Sequence, residues 1–262
     1  MIKKIKLYPN FSETAKQEES KIKDLLVKNG FEVVDDDFDL MIAIGGDGTF
    51  LNMIKKHHYL PCSFTGYNIG KLGFALELTD ENIEEFISDL KNNKYKTKEY
   101  DLEEITIKTN TNEETYYTLN EIVIRNNLLK INEMNVIVDN ELLEKYSGDG
   151  LLVSTSFGST AYNLSLNGSI VDSKINTFQI TPLAPTNNSL ISNLRNSLVL
   201  SNDRTITIKP LKIKDLLLTM DGENKLFNNV DEITIKRSKK TINILTTDEY
   251  SFIKRIHEKI IR

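Results

Sequence analysis

Five residues, Gly45-Gly46-Asp47-Gly48-Thr49, separate a continuous apolar run from a stretch of helical character. Glycines at such a junction let the backbone turn tightly and approach a phosphate, while the following helix start offers free N–H donors. A carboxylate in such a loop repels phosphate. Asp47 therefore suits one of two tasks: accepting a proton from an attacking hydroxyl, or holding a magnesium ion already neutralised by phosphates. A plain turn would carry the same Gly-Gly and Asp-Gly pairs, and the strand-loop-helix context favours the chemical reading.

A second candidate runs from Gly148 to Tyr162: a Gly-Asp-Gly turn, an apolar strand, then the hydroxyl-rich Ser154-Thr155-Ser156-Phe157-Gly158-Ser159-Thr160-Ala161-Tyr162. Small hydroxyls and free amides at a helix start suit hydroxyl or phosphate ligands, and Tyr162 offers a ring for a base. The pattern predicts a helix capped by Ser159 or Thr160 and running to Leu166, where Asn167-Gly168 stops it. The third candidate is Asn120-Glu121 in the otherwise apolar stretch Leu119–Ile124. Asn can pair with an adenine edge and Glu can accept from both hydroxyls of a ribose diol, though an exposed turn would also carry such a pair.

Several nucleotide scaffolds are absent. There is no G-x-x-x-x-G-K-[ST] and no protein-kinase set, and the G-x-G-x-x-G pattern fails at Leu51 and at Val153. His57 and His58 fit a helix end better than a metal site, with no third ligand at suitable spacing. Cys62 reads as buried rather than reactive.

The elements that must position these residues fall into two groups. Ile2 to Tyr8 reads as a strand, and Ser12 to Asn29 as a helix with Ala15, Ile22, Leu25 and Leu26 on one face. Leu40 to Ile44 reads as a strand buried on both faces, and Phe50 to Lys56 as the start of a helix. Ile83, Phe86, Ile87 and Leu90 mark another helix, opened by Thr79-Asp80-Glu81. Alternating strands and helices imply an α/β domain with a Rossmann-like parallel sheet. From about residue 100 the period becomes two, in Glu104–Lys108, Thr205–Lys209, Glu232–Lys236 and Thr241–Ile244, so the second domain is β-rich. Lys236-Arg237-Ser238-Lys239-Lys240 reads as a solvated hairpin tip. From Asp248 the tail turns helical, with Phe252, Ile253, Ile256 and Ile260 on one side. The expected division is 1–100 plus 247–262 for the α/β domain and 101–246 for the β-rich one.

With 262 residues, 39% hydrophobic and 27% charged, the chain can bury two modest cores. A net charge of −5 argues against a nucleic-acid partner. The amino-terminal lysines interrupt any secretory apolar run, no stretch reaches membrane-span length, and the lone cysteine excludes an internal disulfide. A cytoplasmic protein without a membrane partner is the expectation.

Taken together, Gly45–Leu51, Gly66-Tyr67-Asn68-Ile69-Gly70-Lys71-Leu72-Gly73-Phe74, Asn120-Glu121 and Gly148–Tyr162 resemble the NAD kinase family, in the same order over most of the chain. The resemblance implies phosphoryl transfer from ATP or polyphosphate to the 2′-hydroxyl of NAD, with magnesium. It also implies a homodimer or homotetramer in which a neighbour completes each NAD site, and a C-terminal helix returning to the first domain. Carried over by position, Asp47 accepts the hydroxyl proton, and Gly46, Gly48, Thr49 and Lys71 meet the donor phosphates. Phe74, Asn120, Glu121, Thr160 and Ala161 would meet adenosine; Asp149, Tyr162, Ser165, Ala184, Asn187 and Asn188 would line the remainder. No protein metal ligand is assigned. Ser147 stands where many members carry arginine, so that cation is either lost or supplied by Lys71 or Lys145. Ser156-Phe157, Asn167-Gly168 and Glu223 also depart from the common pattern. Two rivals share part of it: a lipid kinase of the same superfamily, whose members carry the Gly-Gly-Asp-Gly-Thr loop, and a non-catalytic NAD(P) sensor.

Overall fold

The computed structural model describes residues 2–57, 59–60, 62–70, 73–128, 130–189, 192–247 and 251–261. Lys71, His58 and the expected start of the tail at Asp248 lie outside the described residues. The chain divides into two compact units, Met1–Tyr100 with Thr241–Arg262, and Asp101–Lys240.

In the first unit, β1 (Lys4–Pro9) is followed by α1 (Glu13–Lys28), β2 (Glu32–Val33), β3 (Leu40–Gly45), α2 (Asp47–Lys56), β4 (Ser63–Asn68) and α3 (Ile83–Lys91). β2, β1, β3 and β4 lie side by side, all parallel, and Asn243 and Ile244 pair in parallel beyond β4. Every residue of β3 is buried, as a strand covered on both faces must be. Ser12 caps α1 by accepting from the Ala15 amide at 3.1 Å, and Ala15, Ile22 and Leu26 turn inward. α3 is entered through a turn in which Asn82 Oδ1 accepts from the Thr79 amide at 2.8 Å; Asn82 stands at the cap position without a side-chain cap bond to the helix. The C-terminal helix spans Phe252–Lys259 and has no fully buried residue. Phe252 and Ile256 are half-buried, whereas Ile253, expected on their side, is 71% exposed. One residue further along a helix rotates by about 100°, enough to carry it off the inner face.

The second unit holds β5 (Lys96–Thr109), β6 (Glu113–Thr118), β7 (Glu121–Asn126), β8 (Asn132–Val138), β9 (Glu141–Thr155), α4 (Tyr162–Ser165), β10 (Thr177–Pro185), β11 (Leu198–Ser201), β12 (Ile206–Pro210), β13 (Leu216–Met220), β14 (Glu223–Phe227) and β15 (Val230–Thr246). The ends of β5 and β15 continue into the first unit. β9 is the hub: its first half pairs antiparallel with β8, and its second half lies between β7 and β10, antiparallel to both. Ile122, Ile124, Leu151, Val153, Phe178, Ile206, Leu218 and Ile235 form the centre of the core. The basic run Lys236–Lys240 is not a hairpin tip. It lies inside the 17-residue β15, with Ser238 buried, Lys236 paired to Glu104 at 3.0 Å and Arg237 to Asp101 at 3.0 Å.

α2 presents Phe50, Met53 and Ile54 to the first unit's sheet, which fixes the helix that begins at Asp47. Phe50→Ala should therefore cost about 3–5 kcal/mol of unfolding free energy in urea titrations, and a loss below about 1 kcal/mol would show that this helix is not held by its buried face.

Candidate active site

The Gly45–Thr49 loop joins β3 to α2, and Asp47 is the first residue of that helix. The helix therefore starts three residues before the expected Phe50, because the loop itself supplies the first turn. The Thr49 amide donates to the Gly46 carbonyl at 2.9 Å, and Thr49 Oγ1 accepts from the Gly46 amide at 3.4 Å. A Cβ on Gly45 would run into Thr49 Oγ1, so the strand can turn only at glycine. Gly46 and Gly48 have open space where a side chain would project, leaving their backbone accessible.

Asp47 is fixed by the segment after Gly70. Its Oδ2 accepts from the Phe74 amide at 2.7 Å and its Oδ1 from the Ala75 amide at 3.0 Å. Gly73, with φ of +126°, lies so close that a Cβ there would sit 2.9 Å from Asp47 Oδ1. Each carboxylate oxygen keeps a lone pair beyond these bonds, available to a hydroxyl. The C-terminal helix steadies the same segment. Arg255 donates to the Leu76 carbonyl at 2.8 Å and lies 5.4 Å from the Phe74 ring centroid, and Phe252 meets Phe74 edge-on at 5.8 Å. Glu77 accepts from the Thr247 amide at 3.2 Å; burial pushes its carboxyl up to about 7, with Arg255 drawing it back.

In the second unit Glu121 opens β7 with Asn120 just before it, and both are buried, not exposed turn residues. Asp221, between β13 and β14, supports them. Its carboxylate accepts from the amides of Leu119 at 2.8 Å, Asn120 at 2.8 Å and Glu121 at 3.3 Å. Behind the pair, Glu103 is fully buried and accepts from Thr118 Oγ1 at 2.5 Å. Burial pushes the Glu103 carboxyl well up, and the charges of Asp221 and Glu121 add to it. Glu121 is pushed up to about 8 by burial and by Asp221, against a lowering hydrogen bond from the Tyr162 amide. Asn120 Oδ1 and Glu121 Oε2 are buried acceptors with no partner among the described residues.

The hydroxyl-rich loop closes over this pair. The Thr155 amide donates to the Asn120 carbonyl at 2.9 Å, Thr155 Oγ1 to the Leu119 carbonyl at 2.5 Å, and a Cβ on Gly158 would strike the Asn120 backbone. The expected single capped helix is instead a 3-10 turn, Phe157–Thr160, and a one-turn helix, Tyr162–Ser165, broken at Ala161. Ser159 is no cap. It is buried, and its hydroxyl bonds the Val171 backbone, while Asn163 binds the Ser159 carbonyl at 3.1 Å and Thr181 at 2.7 Å. Thr160 and Ala161 are half-buried, and Tyr162 and Ser165 face outward.

Asp149 is exposed, and its carbonyl is held by Asn132 at 2.9 Å, which Asn126 holds in turn at 3.0 Å. Ala184 is exposed with φ of +44°. Asn187 Oδ1 accepts from the Asn193 amide at 2.8 Å, and Asn188 is exposed. Ser147 is buried and its backbone is tied to Asn193, and Lys145 is exposed on β9. Sequence reasoning missed both Glu103 and Asp221 as site residues. Burial pushes the half-buried Cys62 thiol up to about 11, which leaves it unreactive.

The ATP-NAD kinase N-terminal domain family matches residues 3–95 and the ATP-NAD kinase C-terminal domain family residues 119–247. The NAD kinase of Finegoldia magna is 36% identical over 251 residues, 92% of each chain. NAD kinase 2 of Bacillus licheniformis is 31% identical over 258 residues, 95% of each. In fold the chain is similar to yeast NADH kinase complexed with NADH (TM-score 0.84, 18% identity, 98% of this chain and 87% of that one). It is also similar to an Archaeoglobus fulgidus NAD kinase in complex with ATP (TM-score 0.79, 21% identity, 97% and 99%).

Removing the Asp221 carboxylate leaves three backbone amides without their acceptor. Asp221→Ala should lower unfolding stability by about 2–4 kcal/mol; a loss under about 1 kcal/mol would mean those amides find other partners.

Proposed function

The chain belongs to the NAD kinase family, and from that premise we propose that it transfers the terminal phosphoryl group of ATP to the 2′-hydroxyl of the adenosine ribose of NAD, yielding NADP. The observation that carries the reading is the pair of buried, unpartnered acceptors on Asn120 and Glu121. Burying such atoms without a partner costs about 1–3 kcal/mol each, a cost that a ligand with matching donors removes. Adenine offers an amino group to Asn120 Oδ1, and the ribose diol offers its hydroxyls to Glu121 Oε2.

Asp47 then acts on the 2′-hydroxyl. Its carboxylate accepts the proton as the oxygen bonds to phosphorus and the bond to the leaving diphosphate breaks. Phe74 and Ala75 amides hold both carboxylate oxygens, so the base is aimed before substrate arrives. Gly46, Gly48 and Thr49 offer backbone and hydroxyl donors to the donor phosphates, and Lys71 adds a positive charge. Phe74, Thr160, Ala161, Asp149, Tyr162, Ser165, Ala184, Asn187 and Asn188 complete the contacts to NAD.

A magnesium ion would screen the phosphate charge. Among the described residues no group of three His, Cys, Asp or Glu side chains converges to hold a metal, so the donor phosphates would carry it. Polyphosphate is an alternative donor on this reading. The protein is further read as a cytoplasmic homodimer or homotetramer; no helix among the described residues is long and apolar enough to cross a membrane.

Two measurements test this. Asp47→Asn should lower kcat for NADP formation on the order of 100-fold or more while NAD still binds; turnover close to that of the unaltered protein would remove Asp47 from its role. The second concerns pH. Glu121 binds the diol as a carboxylate, and its folded value is raised, so protonation competes with NAD as pH falls through about 8. The dissociation constant of NAD should fall about tenfold between pH 7 and pH 9, and Glu121→Gln should flatten the profile. A profile unchanged by that substitution would assign the titration elsewhere.

A further inference from the structure

Arg125 is the penultimate residue of the strand that begins with Glu121, and nothing in the reaction so far uses it. Its register partner on β9 is Gly150, the second glycine of the Gly148-Asp149-Gly150 turn. A Cβ on Gly150 would sit 2.9 Å from Arg125 Cγ, so the absence of a side chain there makes room for the arginine to cross. The guanidinium donates to the Tyr162 hydroxyl and lies 5.7 Å from that ring's centroid. Its Nε is buried without a partner, and no carboxylate pairs with it among the described residues. Arg125 is thus a half-buried cation held in place, with most of its donors unused.

Buried charges are normally paired, and the Nε–Nη edge of an arginine matches two oxygens of a phosphate. We propose that Arg125 binds the diphosphate bridge of the dinucleotide, supplying the cation that Ser147 cannot. This rests on the reading that Glu121 takes the adenosine diol. Tyr162 spans the two points, its amide at the Glu121 carboxylate and its hydroxyl at Arg125. The diphosphate likewise lies one ribose 5′-arm from the diol. The new 2′-phosphate of the product forms at the diol itself, beside Glu121, and belongs to a different place. Lys145 is exposed and carries no such arrangement.

Three variants, Arg125→Ala, Arg125→Gln and Arg125→Lys, test the assignment by calorimetric binding of NAD and of adenosine, with the Michaelis constant for ATP measured alongside. Arg125→Ala and Arg125→Gln should raise the dissociation constant of NAD about 10- to 100-fold. Adenosine, which has no phosphate, should bind within about twofold of the unaltered protein, and Arg125→Lys should recover part of the loss. The Michaelis constant for ATP should not move. Thermal unfolding identifies any variant that fails to fold, and the polar, uncharged Arg125→Gln then carries the comparison.

Unchanged NAD affinity in Arg125→Gln would overturn the proposal. So would an equal loss of adenosine, which would make the role structural, or a change confined to ATP, which would place the donor's phosphates there. The underlying reading fails separately, through Glu121→Gln leaving adenosine affinity intact.

Discussion

The second unit's site depends on one buried carboxylate. Asp221 accepts from three consecutive amides, Leu119 to Glu121, at the point where the chain leaves β6 and enters β7. Amides at such a junction have no ladder partner, and a carboxylate with its two oxygens can satisfy several at once. Asp221 holds φ of +46° while doing so, and its own amide returns a bond to the Glu121 carbonyl at 3.1 Å. A bond set closed across a hundred residues thus fixes where Asn120 and Glu121 point. The Thr155 and Gly158 contacts with the Asn120 and Leu119 backbone complete that frame from the other side.

The electrostatic consequence is a crowd of acids. Glu103, Glu121 and Asp221 interact with one another, and burial raises both glutamates. Like charges in a dry site resist ionising together, which is the direction in which both glutamates are moved. The sign for folding follows. A carboxyl raised in the folded state holds its proton where the unfolded chain has lost it, so these groups draw stability down as pH rises from the usual carboxylate range toward the folded values. The arrangement is therefore poorly explained as scaffolding. It disfavours the empty protein at the pH at which a diol would bind, which is the behaviour of a site whose missing partner is a ligand.

Much of this was readable in the residues, for reasons that differ by region. The loop around Asp47 was legible because a tight strand-to-helix turn demands glycine locally, and a buried parallel strand announces itself as an unbroken apolar run. Asn120-Glu121 stood out as polar residues in an apolar strand. Asp221 did not, since its work is done on residues a hundred positions away, and neither did Glu103, whose neighbours Glu104 and Ile105 make it look like ordinary alternation. The basic run at 236–240 misled because charge density mimics a turn; β15 tolerates it by pairing Lys236 and Arg237 with acids of β5. The helix at Tyr162 broke at Ala161 because Ser159 is bound inward to Val171 and cannot also cap.

Two acids of the chain end in opposite circumstances, and the difference follows from their surroundings. Asp47 stands at a helix start, and both its oxygens take backbone amides from one short segment. Glu121 takes a single amide, faces another carboxylate, and keeps one buried oxygen unmet. The first environment fixes the direction of the carboxylate, which suits aiming it at a hydroxyl. The second presents a proton-holding group that ionises when donors arrive, and suits recognition. The contrast between the loop acid and the strand acid is thus set by hydrogen-bond supply, before any substrate is considered.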